Sequence, residues 1–299
     1  MNTRPVCFPV TIVYLPHYLL ELVFGVSMYD YYEDPAHNSS TSNQTGRVFI
    51  EHYDMIRASS NPNLFFYGTD YSNYDVTLAW DNFRKFIRAG LLKGLTDTSL
   101  INVKFGEWTY GELANFVTTR TRFAEFLVAG SFTQQVDMTM SGEYTTLATN
   151  NIGNNSAQKY FLSEMHTNFP WFRETIDVIS RWVMGDDAMI IFFMSQRITI
   201  DQLSSMLSTN ERTATENGLA INQFKTIASS IGGEYLKNTA RYGYIEPRYR
   251  TLQVFASEKF NSTLNVLERI TSFISFMKTC FSRGYNYTIR DRDWETHLT

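Results

Sequence analysis

The sequence predicts an α+β fold in which a small antiparallel sheet of three to four strands is backed by helices. Three observations carry that reading. Asn63 to Thr69 (NLFFYGT) is a compact apolar run after Pro62, with Gly68 near its end, as a buried strand requires. Thr175 to Val183, then Met184-Gly185-Asp186-Asp187, then the apolar run Ala188 to Met194 read as strand, tight turn and strand. Between these segments Leu78, Phe83, Phe86, Ile87, Leu91 and Leu92 recur at the spacing of one helix face.

The elements follow in order. Met1 to Tyr29 holds an apolar run after Arg4, but Pro9, Pro16, His17 and Glu21 interrupt it, which argues against a signal peptide or a membrane span. Val13 to Val26 reads as a short helix or a strand and helix. Asp34 to Gly46 (DPAHNSSTSNQTG) is a polar loop by composition. Val48 to Arg57 and Val76 to Leu95 read as helices, and Glu107 to Val128 as helical in part. Ser141-Gly142 breaks the chain before a helix from Tyr144 to Met165, and the helices at 76–95 and 144–165 are expected to cover the sheet. Ile200 to Leu207 is a short helix with Thr199 or Asp201 at its N-cap. Asn217 to Ile231 is a second, stopped by Gly232-Gly233. Arg241 to Arg250 is aromatic, basic and irregular, and Leu252 to Cys280 is apolar at helical spacing. The charge-dense ending TIRDRDWETHLT reads as a non-native or disordered tail.

Composition narrows the function. With 43% hydrophobic residues the chain can bury one or two cores. Cys7 and Cys280 are the only cysteines, so a disulfide framework is excluded and a reducing compartment fits. The five histidines lie apart, with no paired ligand spacing, which argues against a zinc enzyme. A net charge of −4 argues against a free-standing RNA binder, although basic groups can line one channel of an acidic protein.

Three clusters carry chemistry. Asp70 and Asp75 follow the first apolar strand in GTDYSNYD; SGEYTTLATN spans Ser141 to Asn150; Gly185-Asp186-Asp187 forms the hairpin tip. Each alone is an ordinary turn or helix cap. In this order they form a set. Phosphoryl transfer can be handled by two divalent ions about 3.5–4 Å apart, held by carboxylates that converge from separate elements. Asp70 and Asp186 meet that need if their strands are neighbours. Thr146 and Asn150, four apart, share a helix face.

The set resembles motifs A, B and C of the right-hand palm of RNA-dependent RNA polymerases, and its wording is similar to that of the double-stranded RNA viruses of the reovirus group, including the orbiviruses. The resemblance covers residues 63–250. It implies Asp70 and Asp186 as principal metal ligands with Asp187 beside them, and Mg²⁺ as the cofactor with Mn²⁺ substituting. Asp75 and Asn150 would read the ribose 2′-hydroxyl, with Thr146 on the same helix face. Ser141 and Gly142 would form a loop against the template or nascent pair. Lys225 and Lys237 are both candidates for the motif D general acid. GGEYLKN resembles the primer-gripping motif E, with Arg248 as a phosphate contact.

The implied layout is partial fingers at 1–62, a palm at 63–250 with a fingers segment inserted at about 96–140, the start of a thumb at 251–287 and the tail at 288–299. The implied partners are RNA template and product, nucleoside triphosphates, the remainder of a longer polymerase chain and inner-capsid proteins, with no membrane. The implied location is the virion interior and host cytoplasm. A fragment of this size is expected to be inactive alone. The competing reading is a structural or inner-capsid protein without catalysis, supported by the acidic charge and aromatic richness.

Overall fold

The computed structural model describes residues 36–38, 45–78, 85–120, 125–128, 132–135, 146–246 and 265–282. In chain order these form β1 (Ala36–Asn38), α1 (Thr45–Ser60), β2 (Leu64–Thr69), α2 (Tyr74–Thr77), α3 (Lys85–Asp97), β3 (Lys104–Phe105), β4 (Trp108–Thr109), α4 (Tyr110–Arg120), β5 (Glu125–Val128) and β6 (Phe132–Gln135). There follow α5 (Thr146–Asn168), α6 (Pro170–Thr175), β7 (Ile176–Met184), β8 (Asp187–Met194), α7 (Ile200–Glu216), β9 (Ile227–Ser229), β10 (Gly232–Tyr235), β11 (Asn238–Arg241), β12 (Tyr244–Glu246) and α8 (Val266–Ser282). The class is α+β, as expected.

The main sheet has five strands in the order β1-β7-β8-β2-β9, one more than the sequence predicts. Two of the five, β1 and β9, lie where the sequence predicts no strand; β1 lies inside the expected polar loop and pairs parallel with β7 from Ala36↔Arg181 to Asn38↔Val183. Backbone groups of a polar segment can still complete an open sheet edge, and composition does not reveal that. The other pairings are antiparallel. All six residues of β2 are buried because it is interior to the sheet and both of its faces are covered. Leu64 and Phe66 join α1 residues Met55 and Ala58 on one face; Phe65 and Tyr67 meet Phe161 and Met165 of α5 on the other.

The hairpin β7–β8 forms where expected. Gly185 occupies its tip with φ +64, a conformation costly for residues with a Cβ. A bulge between Val178 and Ser180 shifts the register lower in β7.

Four expectations are corrected. The apolar spacing of 76–95 does not make one helix: α2 ends at Thr77, α3 begins at Lys85, and Leu95 of α3 packs on Leu113 and Ala114 of α4 rather than on the sheet. Periodicity reports a buried face but not what buries it. The expected short helix at 200–207 continues to Glu216, started by a capping box in which Thr199 accepts from Gln202 N and Gln202 accepts from Thr199 N.

Asn217 to Ile231 is not a helix. Gly218, at φ +76, ends α7; Ile221 bridges to Tyr71, and Ile227–Ser229 takes the free edge of β2. Gly232 and Gly233 are therefore not helix stops. A Cβ on Gly233 would overlap the Phe66 ring, and one on Gly232 the Ala240 carbonyl, so both glycines permit close strand contact. The region expected to be irregular after Arg241 contains β12, which completes a three-stranded sheet in the order β10-β11-β12. Among the described residues no helix is long and apolar enough to cross a membrane.

Candidate active site

The register of the central strands assembles the site. Thr69 of β2 pairs with Ala188 of β8, and Met184 pairs with Asp187 across the hairpin. Asp70 thus leaves its strand at the same sheet end as Asp186 and Asp187. Asp186 is exposed at the tip, whereas Asp70 and Asp187 are half-buried. Asp70 Oδ2 has no hydrogen-bond partner, and Lys225 Nζ lies 3.8 Å from it. The Asp70 carbonyl accepts from Asn222 N at 2.8 Å, which brings the segment holding Lys225 alongside.

The carboxylates share one electrostatic environment. Burial, and next to it the charge of Asp186, pushes the Asp187 carboxyl up to about 6; Lys237 opposes the shift, and Asp70 and Glu234 add to it. Burial also holds the Tyr74 phenol well above its usual range, reinforced by Tyr71, Asp186 and Asp75. Tyr74 therefore sits within the field of two of the aspartates singled out by sequence.

Asp75, in the first turn of α2, accepts from Asn150 Nδ2 of α5 at 3.4 Å. Asn150 Oδ1 is buried and has no partner. Thr146 opens α5. Ser141, Gly142 and Arg248 lie outside the described residues. Lys237, in the turn between β10 and β11, is 3.8 Å from Glu234. The two lysine candidates thus approach different carboxylates, Lys225 at Asp70 and Lys237 near Asp187.

A row of buried amides on α5 adjoins these aspartates, and of its members only Asn150 belongs to the three motifs. Asn151 Oδ1 accepts from Gly185 N at 2.6 Å. Asn154 Nδ2 donates to Gly185 O at 3.1 Å and to Asp187 O at 3.4 Å. Tyr71 donates to Asn154 Oδ1 at 3.2 Å and accepts from Gln158 Nε2 at 3.3 Å, while the Tyr74 hydroxyl donates to Asn150 O at 2.9 Å. The signal was available: positions 150, 151, 154, 155 and 158 place amides at helical spacing, as a buried polar stripe would.

Hard divalent cations favour carboxylate oxygens, and these strand-end aspartates supply them, including one buried oxygen without a hydrogen bond. Among the described residues no three Asp, Glu, His or Cys side chains are gathered as a preformed cage. The donor set suits a divalent ion by its chemistry.

The family model for the Seadorna RNA-directed RNA polymerase matches residues 125–285, more than half of the chain. The chain belongs to the RNA-directed RNA polymerases. Polymerase P1 of Rice dwarf virus (isolate Akita) is 29% identical over 140 residues, which is 44% of this chain and 9% of that protein. The chain therefore spans a small part of the length of its curated relatives. Among solved structures, the RNA-dependent RNA polymerase of BmCPV at its elongation state superposes with a TM-score of 0.61 at 12% identity, covering 82% of this chain and 21% of that one. A human picobirnavirus polymerase gives 0.51 at 15% identity, covering 81% and 41%. These likenesses establish the polymerase fold, and the family match places the chain with polymerases of double-stranded RNA viruses.

Proposed function

We propose that this segment is the catalytic palm of a longer viral polymerase that joins ribonucleoside triphosphates to an RNA 3′-hydroxyl under the direction of an RNA template. The observation that supports it most is the Thr69↔Ala188 register, with Asp70 and the Asp186-Asp187 pair at one end of neighbouring strands.

In this reading Asp70 and Asp186 hold Mg²⁺, or Mn²⁺ in its place, and Asp187 assists. Ions held there would supply activation of the attacking oxygen and charge stabilisation of the leaving one. The Asp75 carboxylate and the Asn150 amide, paired at 3.4 Å, read the 2′-hydroxyl of the incoming ribose, which distinguishes RNA from DNA precursors. Thr146 supports the same helix face, and Ser141 and Gly142 supply the loop against the nascent pair. Lys225, beside Asp70, is favoured over Lys237 as proton donor to pyrophosphate. The β10–β11 hairpin contacts the primer strand, with Arg248 on a phosphate.

Residues 1–62 and about 96–140 serve as fingers, 63–250 as palm and 251–287 as the start of the thumb. The partners are RNA, nucleoside triphosphates, the rest of the polymerase and inner-capsid proteins; the sites of action are the virion interior and the host cytoplasm. The similarly folded BmCPV polymerase, solved in situ at its elongation state, and a similarly folded polymerase complex solved inside a double-stranded RNA virus support this placement. In the full polymerase, Asp186→Asn should abolish primer extension while the melting temperature changes little. Wild-type-like synthesis would overturn the assignment of Asp186.

A further inference from the structure

We propose that Asn154 and Asn151 are positioning residues that fix the Gly185-Asp186-Asp187 turn to α5, so that the helix carrying Asn150 sets where the turn's carboxylates stand. The inference rests on the polymerase reading and extends it to residues outside the three motifs.

The geometry is specific. Both peptide groups of Gly185 are taken by side chains of one helix, its N–H by Asn151 and its carbonyl by Asn154. Asn154 also reaches the Asp187 carbonyl, so a single amide spans the turn on either side of Asp186. Asn154 is fully buried, and Tyr71, directly after Asp70, fixes its orientation by donating to its oxygen. Gln158, also fully buried, holds Tyr71 in turn. From the same helix Asn150 binds Asp75 through its side chain and receives the Tyr74 hydroxyl on its carbonyl.

Asp70, Asp75 and the Asp186-Asp187 pair, which belong to three separate elements, are thus tied to successive turns of α5. Exposed Asp186 has no described bond of its own, and the peptide groups flanking it fix its place. Outer groups that orient metal ligands act in this manner, and their loss weakens metal binding as well as turnover.

The test uses the full polymerase with Asn154→Leu, Asn151→Ala, Tyr71→Phe and Asp186→Asn. Melting temperature is recorded against Mn²⁺ concentration without RNA or nucleotide, alongside steady-state primer extension. Asn154→Leu should raise the Mn²⁺ midpoint about 10–100-fold and lower kcat by a similar factor, while KM for nucleotide stays within about twofold. Tyr71→Phe should shift the midpoint in the same direction by less. A lower metal-free melting temperature with an unchanged Mn²⁺ midpoint would show that Asn154 only fills the core, and would overturn the inference.

If Asn154→Leu does not fold, Asn151→Ala, which loses one bond, is judged by the same midpoint criterion. Asp186→Asn separates the two layers of argument. Synthesis by that variant overturns the polymerase site and this inference together. Its silence, combined with a wild-type midpoint in Asn154→Leu, overturns the positioning role alone.

Discussion

Helix α5 is buried by different chemistries in its two halves. From Asn150 to Gln158 it presents amides to the Gly185 turn and to Tyr71; from Phe161 to Met165 it presents apolar side chains to Tyr67, Phe172 and Phe192. The apolar half is held by non-directional burial, reinforced by the Tyr67–Phe161 stack at 5.6 Å. Its contacts would tolerate small shifts. The amide half is held by directional hydrogen bonds in a low-dielectric setting, where a misplaced group loses its partner and keeps its desolvation cost. Stability therefore comes mainly from one half of the helix and placement of the turn from the other. The half with stricter geometry is the one at the carboxylates.

Substitutions can break that contrast in a graded way. Phe161→Ala should have the largest effect, lowering unfolding free energy by about 3–5 kcal/mol in urea titration through the cavity it leaves. The Mn²⁺ midpoint should stay at the wild-type value; a joint loss of both would erase the distinction between the halves. Gly233→Ala tests the opposite sheet face, where the added methyl meets the Phe66 ring. Overpacking there should cost about 1–3 kcal/mol by the same titration, and an unchanged midpoint in urea would show that β10 can move away from β2.

Gln158→Leu, at the boundary, sharpens the contrast and should have the smallest effect. Its Oε1 is buried without a partner, so removing the amide relieves one cost while it gives up the bond to Tyr71. The net change should be within about 1 kcal/mol, and a loss well beyond that would extend the directional half of the helix through Gln158.

Legibility from sequence followed the range of each interaction. The β7–β8 hairpin and β2 were visible because alternation, apolar runs and turn glycines act over a few residues. The Asp75–Asn150 pairing was legible only through the ordered motifs, and the structure brings those residues together across 75 positions. The segment after Asn217 misled because its apolar residues serve a bridge to Tyr71 and an edge strand on β2, both of them long-range partnerships. Gly232-Gly233 misled likewise: a glycine that admits a neighbouring ring and one that ends a helix look the same in one dimension.

The sequence by itself determined the α+β class, the hairpin with its Gly-Asp-Asp tip, and the carboxylates and single amide, Asn150, assigned to the proposed polymerase site. These depend on residue type and local periodicity. Tertiary structure alone decided the five-strand order, the approach of Lys225 to Asp70, and the attachment of the turn to Asn151 and Asn154. A hydrogen bond between residues 31 or 34 positions apart depends on sheet register and helix placement, and no local pattern encodes these.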